Sequence, residues 1–418
     1  MTVGFIGLGK LGMPVAEVMS QHYEVIGYDV EKRSTEEFQV TANLQELVEK
    51  SDMIFVAVPT PHSPEYGGEK PINHLPNKDF DYTAVCTVLD QVNSLANKKI
   101  PLVLISTVLP GTVREQFLHR CSNLNFIYNP YLIAMGTVKS DFVNPEMVII
   151  GTEKANESPE AQMLIDFYKP MMTNNPRYVV GTWDEGEAIK IFYNTFISAK
   201  ISLVNMIQDV AQKSGNMNVD VVTKALADST YRITSAAYMK AGMGDGGPCH
   251  PRDNIALRFL SEKLDLGYDL FGSIMHSREV QAKNMAKDLF KYGENICIVG
   301  KAYKPQVAFT DGSYSLLVAH YLEEMGAKVC YYDENSGDSI PIDFPEERVY
   351  LIGYWDQWTY NVPVTPKSTL CDPWRRWVNP TGVDCKVVHY GNTRLFNNFS
   401  RKESSRRNVD ESLPLNLK

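Results

Sequence analysis

The chain opens on the run that decides its fold, Val3-Gly4-Phe5-Ile6-Gly7-Leu8-Gly9-Lys10-Leu11-Gly12. Its first four residues predict a short buried strand, residues 13–20 continue as a helix, and residues 24–28 predict a second strand that ends at Asp29. A bare glycine triplet is weak evidence. Here strand, glycine turn, helix, strand and terminal acid follow one another in the order of a dinucleotide-binding βαβ unit.

Each glycine of this run has its own expected part in binding a dinucleotide. Gly7 allows the tight turn, Gly9 lets the backbone approach a pyrophosphate, and Gly12 lets helix and strand pack closely. The pyrophosphate would rest on the helix N-terminus. Asp29 is placed to accept hydrogen bonds from the adenosine ribose, which favours NAD over NADP, although the basic pair Lys32-Arg33 could soften that preference.

The α/β pattern continues outward from this unit. Further buried strands are predicted at residues 53–58, 102–105 and 126–128. Polar residues follow them, and ligands of open α/β sheets sit at the carboxyl ends of strands, so Thr60, Thr107 and Tyr131 become candidate site residues. The alternative, that these residues merely end strands, stays open for each of them singly.

A long helix is predicted from Asp184 to about residue 212. It is apolar nearly all round, which predicts that it is buried. Lys190 and Asn194 lie one turn apart and share a face. Because an unpaired lysine in a buried helix is costly, we expect this pair to face a polar pocket rather than solvent.

A glycine-rich loop over residues 242–248 leads to Cys249. Pro251 suits a first helical position, and an apolar stripe at helical spacing follows it. Cys249 is therefore expected at a helix N-terminus, where the helix dipole lowers a thiol pKa and makes a nucleophile. The competing interpretation is a buried, inert cysteine.

The C-terminal third weakly repeats the beginning. Residues 296–300 resemble the first strand and turn, residues 329–333 resemble the second strand, and a helix over 314–325 is closed by Gly326. Since the glycine triplet is missing, this second α/β unit is not expected to bind a dinucleotide. Further strands are predicted at 348–352 and 386–389, and the polar segment from about residue 397 is expected to be disordered.

Composition narrows the class of protein. A chain of 418 residues has room for two or three domains, and its net charge of −9 argues against nucleic-acid or anionic-membrane surfaces. The seven cysteines are scattered without metal-ligand spacing and are expected to be reduced thiols. No apolar run reaches membrane-spanning length and the N-terminus lacks the features of a signal peptide, so we expect a cytoplasmic protein without a metal.

Together these motifs resemble the nucleotide-sugar 6-dehydrogenase family, the UDP-glucose and GDP-mannose dehydrogenases, over roughly residues 1–395. The resemblance implies an α/β fold of two Rossmann-like doubly wound domains joined by a long central helix and a helical dimerisation region. The implied divisions are an NAD-binding domain at 1–182, a dimerisation region with the cysteine loop at 183–285, a nucleotide-sugar domain at 286–396 and a polar tail at 397–418.

The family also implies an activity. It oxidises the C6 alcohol of a nucleotide-linked sugar, most often a UDP-sugar, to the carboxylate with two NAD per turnover, and it acts as a homodimer. On this resemblance Cys249 is the nucleophile, Lys190 holds the developing oxyanion, and Asn194 bonds the same oxygen or a water. Asp253 and Thr107 would position the catalytic water. Tyr131 occupies the place of the family's general base.

The binding residues implied in the same way fall into two sets. Cofactor binding is assigned to Gly7, Gly9, Lys10, Leu11, Gly12, Asp29, Arg33, Thr41, Thr60 and Thr107. Substrate binding is assigned to Leu132, Ile133, Met135, Lys190, Asn194, Tyr238, Lys240, Gly246 and Lys304, and to Arg232 reaching the substrate of a partner subunit.

Several positions depart from the family pattern. Tyr131 and Met135 stand where the family has two glutamates, and Asp311 stands where it has an arginine. Tyrosine, with an ordinary pKa near ~10, is a poor base at neutral pH. Loss of a general base typically costs about 10² to 10⁴ in rate, so an altered substrate or slow hydrolysis of a covalent thioester is expected.

Two other hypotheses remain open. A β-hydroxyacid dehydrogenase would share the opening glycine run and the Lys190–Asn194 pair, but it would lack the cysteine loop and the second α/β unit. A catalytically impaired protein that only binds NAD or a nucleotide sugar would account for the lost carboxylates.

Overall fold

The computed structural model describes residues 1–61, 75–76, 78–134, 136–214, 216–235, 241–244, 249–378 and 382–391. The chain forms two compact units, Met1–Lys200 and Ile201–Lys418. The boundary between them falls inside the long helix, so the first unit carries that helix's N-terminal half.

The first unit is built around an eight-stranded sheet. Its strands are β1 (Thr2–Ile6), β2 (Glu24–Tyr28), β3 (Gln39–Val40), β4 (Met53–Val56), β5 (Ile100–Leu104), β6 (Leu124–Tyr128), β7 (Met147–Thr152) and β8 (Arg177–Thr182). Their order is β3-β2-β1-β4-β5-β6-β7-β8, and only the β6–β7 pairing is antiparallel. The first six follow the 3-2-1-4-5-6 order of a dinucleotide-binding doubly wound sheet.

Helices cover both faces of this sheet. They are α1 (Gly12–Ser20), α2 (Leu44–Lys50), α3 (Thr83–Leu95), α4 (Val138–Val143) and α5 (Pro159–Tyr168). One core layer lies between the strands and α1, α4 and α5, and the other lies against α2 and α3. Strands buried on both faces, such as β4 with all four residues buried, read as continuous apolar runs, which is why the sequence predicted them.

The sequence missed three strands of the first unit. β7 pairs with β8 along its whole length and joins the sheet antiparallel to β6. Its run Met-Val-Ile-Ile-Gly-Thr is apolar enough to have been predicted. By contrast, β3 has only two residues, and its pairing is decided by β2 rather than by a local pattern.

The second unit contains a five-stranded parallel sheet in the order β10-β9-β11-β12-β13. Its strands are β9 (Asn295–Val299), β10 (Lys328–Tyr332), β11 (Val349–Ile352), β12 (Thr369–Cys371) and β13 (Lys386–Val388). Its helices are α7 (Val219–Ala227), α8 (Cys249–Lys263), α9 (Leu270–Phe290) and α10 (Tyr314–Glu324). This 2-1-3-4-5 order is the other common doubly wound arrangement, and it confirms the predicted second α/β unit.

The long helix α6 spans Trp183–Ser214, close to its predicted range. The prediction that it is buried is wrong for its middle. Phe192 is 65% exposed and Phe196 is 53% exposed, and Ile197, Leu203 and Val204 are exposed as well. An apolar helix face tends to be covered by protein. Its composition does not show whether the same chain or another molecule covers it.

Among the described helices, none combines the length and the apolar character needed to cross a lipid bilayer.

Candidate functional site

The glycine turn after β1 has the geometry that its sequence predicts. Gly7 has a φ of +96°, and its N–H donates to the Tyr28 carbonyl at 2.9 Å. A Cβ on Gly12 would lie 1.8 Å from the Gly7 carbonyl oxygen, whereas a Cβ on Gly9 would meet nothing within 4 Å. Gly7 and Gly12 are therefore required by the fold itself, but Gly9 is open on the side from which a ligand can approach.

A cleft of about 820 Å³ lies at the carboxyl ends of β1, β4 and β5, where the strand order reverses. Such a switch point is where ligands of doubly wound sheets bind, and the volume lies within the usual range for cofactor sites. The cleft brings together a large part of the predicted site: Gly7, Gly9, Lys10, Leu11, Gly12, Asp29, Arg33, Thr60, Thr107, Tyr131, Ile133 and Lys190.

Asp29 stabilises the turn as well as lining the cleft. Its Oδ2 accepts the N–H of Leu8 at 2.7 Å and its Oδ1 accepts the N–H of Glu31 at 2.8 Å. A carboxylate has about four lone-pair sites, so capacity remains for a ribose hydroxyl. Arg33 pairs with Glu31 at 2.5 Å, which neutralises a cation that would otherwise attract a 2′-phosphate.

The ends of β4 and β5 are tied together beside this turn. The Thr60 hydroxyl donates to the Thr107 carbonyl at 2.7 Å, and the Ser106 hydroxyl donates to the Val58 carbonyl at 2.5 Å. These two bonds fix the backbone that presents Thr107 to the cleft.

Lys190 reaches the cleft from the first turns of α6. Its ammonium donates to the main-chain carbonyl of Tyr131 at 2.7 Å, and burial lowers the pKa of this half-buried lysine. The expectation that Lys190 and Asn194 share a polar pocket therefore holds for the lysine. Asn194, one turn later, is exposed.

The contacts of the Tyr131 side chain do not suit the role of a base. Its hydroxyl lies 2.9 Å from that of Tyr168, which donates in turn to Asn129 Oδ1 at 2.5 Å. The ring packs on Phe142 with 5.5 Å between centroids. Burial raises the pKa of the Tyr131 hydroxyl above its ordinary value, so this phenol is an even poorer base than a tyrosine in water.

The remaining predicted residues lie elsewhere. Thr41 is buried and donates to Glu46 Oε2 at 2.6 Å, outside the lining of the cleft. Leu132 lines a small neighbouring cavity. In the second unit, Arg232 and Lys304 are exposed, and each stacks over the tyrosine that precedes it.

Several predicted residues are outside the described part of the chain. They are Met135, Tyr238, Lys240 and Gly246, together with the side chains of Cys249 and Asp253. The backbone of α8 does begin at Cys249, which confirms the prediction that this cysteine stands at a helix N-terminus.

Sequence reasoning missed Glu187, which is fully buried three residues before Lys190. Its Oε2 accepts the Gly111 N–H at 2.6 Å and its Oε1 accepts the Val113 N–H at 2.7 Å. Burial raises the pKa of this carboxyl to about 7. No local signal marked it, because Asp184 and Glu185 precede it and the run has the pattern of an ordinary acidic helix start.

The second unit has an aspartate, Asp333, in the place that corresponds to Asp29, but protein groups occupy its hydrogen-bonding sites. Oδ2 of the fully buried Asp333 accepts the Lys301 N–H at 2.7 Å, much as Asp29 accepts that of Leu8. The same oxygen accepts the Tyr354 hydroxyl at 2.8 Å, and a Cβ on Gly300 would lie 2.8 Å from the Tyr354 ring. A protein hydroxyl thus takes a hydrogen-bonding site on Asp333 of the kind that remains available on Asp29.

Comparisons with known proteins agree with this geometry. The NAD-binding domain model of the UDP-glucose/GDP-mannose dehydrogenase family matches residues 30–172, and the central domain model of the same family matches residues 184–279. These two ranges together cover more than half of the chain.

Curated relatives are similar to this chain in sequence, and a solved structure is similar to it in fold. The chain is 28% identical to the UDP-glucose 6-dehydrogenase of Rickettsia prowazekii over 262 residues, 60% of this chain but only 56% of that relative. It is 26% identical to the UDP-glucose 6-dehydrogenase AglM of Haloferax volcanii over 340 residues, 76% of this chain and 74% of that protein. A ternary complex of GDP-mannose dehydrogenase from Pseudomonas aeruginosa shares the fold, with a TM-score of 0.76 and 21% identity over 92% of this chain and 99% of that one. The chain therefore belongs to the UDP-glucose/GDP-mannose dehydrogenase family, and its first unit contains the residues that the family's NAD-binding domain model matches.

Proposed function

We propose that this protein is an NAD-dependent dehydrogenase that oxidises the C6 alcohol of a nucleotide-linked sugar, with a UDP-sugar as the first substrate to test. One observation carries the proposal. A single cleft at the switch point of the sheet joins the glycine turn, Asp29, Thr107 and the half-buried ammonium of Lys190. A dinucleotide site can hold the hydride acceptor that alcohol oxidation requires, and a cation next to it can stabilise the alkoxide oxygen.

The cleft fits NAD by its own chemistry. The open side of Gly9 and the N-terminus of α1 suit a pyrophosphate, and Asp29 suits the adenosine ribose. When bound, NAD+ supplies the acceptor for the hydride that leaves C6 in each of two successive oxidations. Thr60 and Thr107 hold the strand ends against which the nicotinamide would lie.

Lys190 has the properties needed to stabilise the oxygen at C6. Its ammonium is oriented by the Tyr131 carbonyl, and it is partly withdrawn from water. A fixed cation in a partly dry site stabilises a developing alkoxide more than a solvated one does. Asn194 is proposed to donate to the same oxygen or to a water.

Cys249 is the proposed nucleophile. The first oxidation removes a hydride from C6 and the hydroxyl proton, which passes to water, and it leaves an aldehyde. The thiolate adds to the aldehyde carbon to form a thiohemiacetal, and loss of a second hydride gives a thioester. Water then cleaves the carbon–sulfur bond, which releases the uronic acid and regenerates the thiol. The position of Cys249 at the start of α8 supports a lowered thiol pKa.

The hydrolytic step is the one that this chain's substitutions affect most. Thr107 and Asp253 are proposed to position the water, but the side chain at 131 is a phenol bonded to Tyr168 rather than a carboxylate. We therefore propose that thioester hydrolysis is slow and that the covalent intermediate accumulates.

A second copy of this chain is the proposed partner. The exposed apolar residues of α6 form a surface of the kind that oligomers cover: Phe192, Phe196, Ile197, Leu203 and Val204. In such a homodimer Arg232 would reach the substrate of the partner subunit. Sedimentation of the wild type and of Phe196→Glu tests this, since the variant should shift toward the monomer.

The decisive experiment is a panel of nucleotide sugars incubated with NAD+, in which NADH is counted per substrate consumed. Two NADH per molecule indicate oxidation to the level of the acid, whether it is released or held as the thioester, and one indicates a stop at the aldehyde. No NADH from any member, together with ligand-dependent stabilisation, would favour a protein that only binds its ligands.

Two further measurements separate the remaining alternatives. Intact mass after mixing with substrate and NAD+ should show the sugar adduct on the wild type and none on Cys249→Ala. A fast acid product with no adduct would contradict slow hydrolysis. The proposed mechanism predicts that Cys249→Ala stops after the first oxidation. The wild-type yield of NADH per substrate in this variant would instead favour a β-hydroxyacid-type dehydrogenase, whose chemistry needs the lysine but no thiol.

A further inference from the structure

Helix α3 forms one wall of the cleft in the first unit. Four of its residues contribute to the lining: Ala84, Thr87, Val88 and Gln91. Their spacing of three, four and seven residues places them on a single face over two turns of the helix. None of them was predicted as a site residue from the sequence, because α3 does not begin at a strand end and carries no glycine motif.

The order of the strands decides which part of a dinucleotide lies near this wall. Asp29 follows β2 and Tyr131 follows β6, and β1, β4 and β5 lie between those two strands. The cleft therefore extends from the ribose-binding carboxylate at one side to Lys190 at the other. Helix α3 packs beside α2, which covers β1 and β2, so α3 faces the half of the cleft that contains Asp29. In NAD this half receives the adenine, because the base is attached to the ribose that Asp29 is placed to hold.

Val30 lies on the β2 side of the same half. It directly follows Asp29, lines the cleft and is 90% exposed. No other large apolar side chain among the described residues of the first unit is as exposed. Ala84 and Val88 supply apolar surface from α3. Cofactor sites are lined mainly by apolar side chains with a few polar groups that fix orientation, and a flat base between Val30 and α3 fits that description.

Gln91 is the polar group at the far end of the α3 wall, and its side chain is exposed. An exposed glutamine on a helix can bond an acid one turn further on, as Gln45 of α2 does by donating to Glu49 at 2.7 Å. On α3, which is described throughout, the residue one turn beyond Gln91 is Leu95. The Gln91 carboxamide therefore lacks such a partner and remains available to a ligand.

A carboxamide matches adenine but not the deaminated base hypoxanthine. Adenine presents the 6-amino donor beside the N7 acceptor, and glutamine can accept from the first and donate to the second in one plane. Hypoxanthine has an oxygen in place of the 6-amino group, so the carboxamide oxygen would face a second acceptor. A site built to hydrogen-bond one polar group discriminates against an analogue that lacks this group.

We propose that Gln91 is a specificity-determining residue that hydrogen-bonds the 6-amino group and N7 of adenine, with the ring held between Val30 and α3. Asp29 and the glycine turn contact the ribose and the pyrophosphate, which dinucleotides with other bases share, so these groups do not select the base. The inference rests on the cofactor part of the proposed function, that NAD binds in this cleft, and it is independent of the alcohol that is oxidised.

Equilibrium titration of the full-length protein with NAD+ and with nicotinamide hypoxanthine dinucleotide tests the inference without turnover. The wild type should bind NAD+ about tenfold more tightly, which is the factor that one lost hydrogen bond produces. Gln91→Leu should weaken NAD+ about tenfold and bind the two dinucleotides within about twofold of each other. Because Gln91 is exposed, the midpoint of urea unfolding should not change.

Two further variants separate recognition of the base edge from covering of the ring. Val30→Ser removes apolar surface but no group that contacts the base edge, so both dinucleotides should weaken by the same factor, roughly three- to tenfold, with their ratio preserved. Gln45→Leu is the matched control, since it makes the same change at an exposed glutamine outside the described lining of the cleft. It should alter neither affinity.

The possible failures are distinguishable. Equal wild-type affinity for the two dinucleotides, or a wild-type ratio in Gln91→Leu, would overturn the role of Gln91 while NAD+ still binds in the cleft. Wild-type affinities in Val30→Ser would overturn the position of the ring against Val30. If the wild type binds neither dinucleotide, the inference fails together with the cofactor part of the proposed function.

Discussion

Replacing Gly9 by alanine should separate cofactor binding from folding. A Cβ at this position meets no protein atom within 4 Å, and the residue does not have a positive φ. The free energy of unfolding of Gly9→Ala should therefore stay within about 0.5 kcal/mol of the wild-type value, as for a surface change that disturbs no contact. The methyl group instead occupies the space through which a pyrophosphate would approach the backbone.

The size of the binding defect follows from the hydrogen bonds that the methyl group prevents. A bond between a main-chain N–H and a charged phosphate oxygen contributes about 1.5–3 kcal/mol. Since about 1.4 kcal/mol corresponds to a factor of ten, loss of a single bond weakens NAD+ by roughly ten- to a hundredfold. Gly12→Ala provides the contrast, because its Cβ would lie 1.8 Å from the Gly7 carbonyl oxygen. Overpacking of this kind costs about 1–3 kcal/mol or more.

The assay is isothermal titration with NAD+ alongside urea unfolding of both variants. We expect Gly9→Ala to be as stable as the wild type but weak in binding, and Gly12→Ala to be destabilised. Wild-type NAD+ affinity in Gly9→Ala would refute the reasoning, because the pyrophosphate would then lie somewhere other than on this turn. A large loss of stability in Gly9→Ala would show that its open side is covered in solution.

Three further predictions concern other side chains of the first unit. Glu31→Gln should release Arg33 from its 2.5 Å ion pair and raise affinity for NADP+ relative to NAD+ by about tenfold, measured by equilibrium titration; an unchanged ratio would leave cofactor choice to Asp29 alone. Tyr131→Phe removes one hydroxyl bond to Tyr168 and should cost about 1 kcal/mol of stability with kcat within twofold of the wild type, whereas a tenfold fall in kcat would show that the phenol takes part in chemistry. For Glu187, whose pKa is raised from 4.5 to about 7, the contribution to stability is present below pH 4.5 and is lost as pH rises through 7. Urea unfolding of the wild type should therefore lose about 3 kcal/mol relative to Glu187→Gln over that interval, and a constant difference would argue against the raised pKa.

Much of the fold could be predicted from local pattern. The strands at the centre of both sheets are apolar runs of four or five residues, and the turn after β1 contains three glycines whose positions have separate geometric reasons. Such signals are local, because burial on both faces of a strand requires the strand itself to be apolar. Short or peripheral strands such as β3 and β12 lack that requirement, and they were missed.

The candidate site could be predicted only in part. The glycines, Asp29, Thr60, Thr107 and Lys190 were found because strand ends and helix faces are readable from spacing, and the cleft brings them together. Thr41 was assigned to the cofactor by resemblance, but its hydroxyl bonds Glu46. The prediction that α6 is buried was also wrong for its middle, because the apolar residues there are exposed in this chain.

The sequence by itself determined the family, the two α/β units and the residues at the strand ends, because each depends on a run of neighbouring residues. Only the tertiary structure decided which partners the polar groups choose. In the folded chain the Tyr131 hydroxyl bonds that of Tyr168, and the Tyr131 carbonyl accepts from Lys190. Glu187 is buried against the main-chain amides of residues 111 and 113, which are distant from it in sequence. Hydrogen bonds between residues distant in sequence leave no periodic pattern, so their partners follow from packing alone.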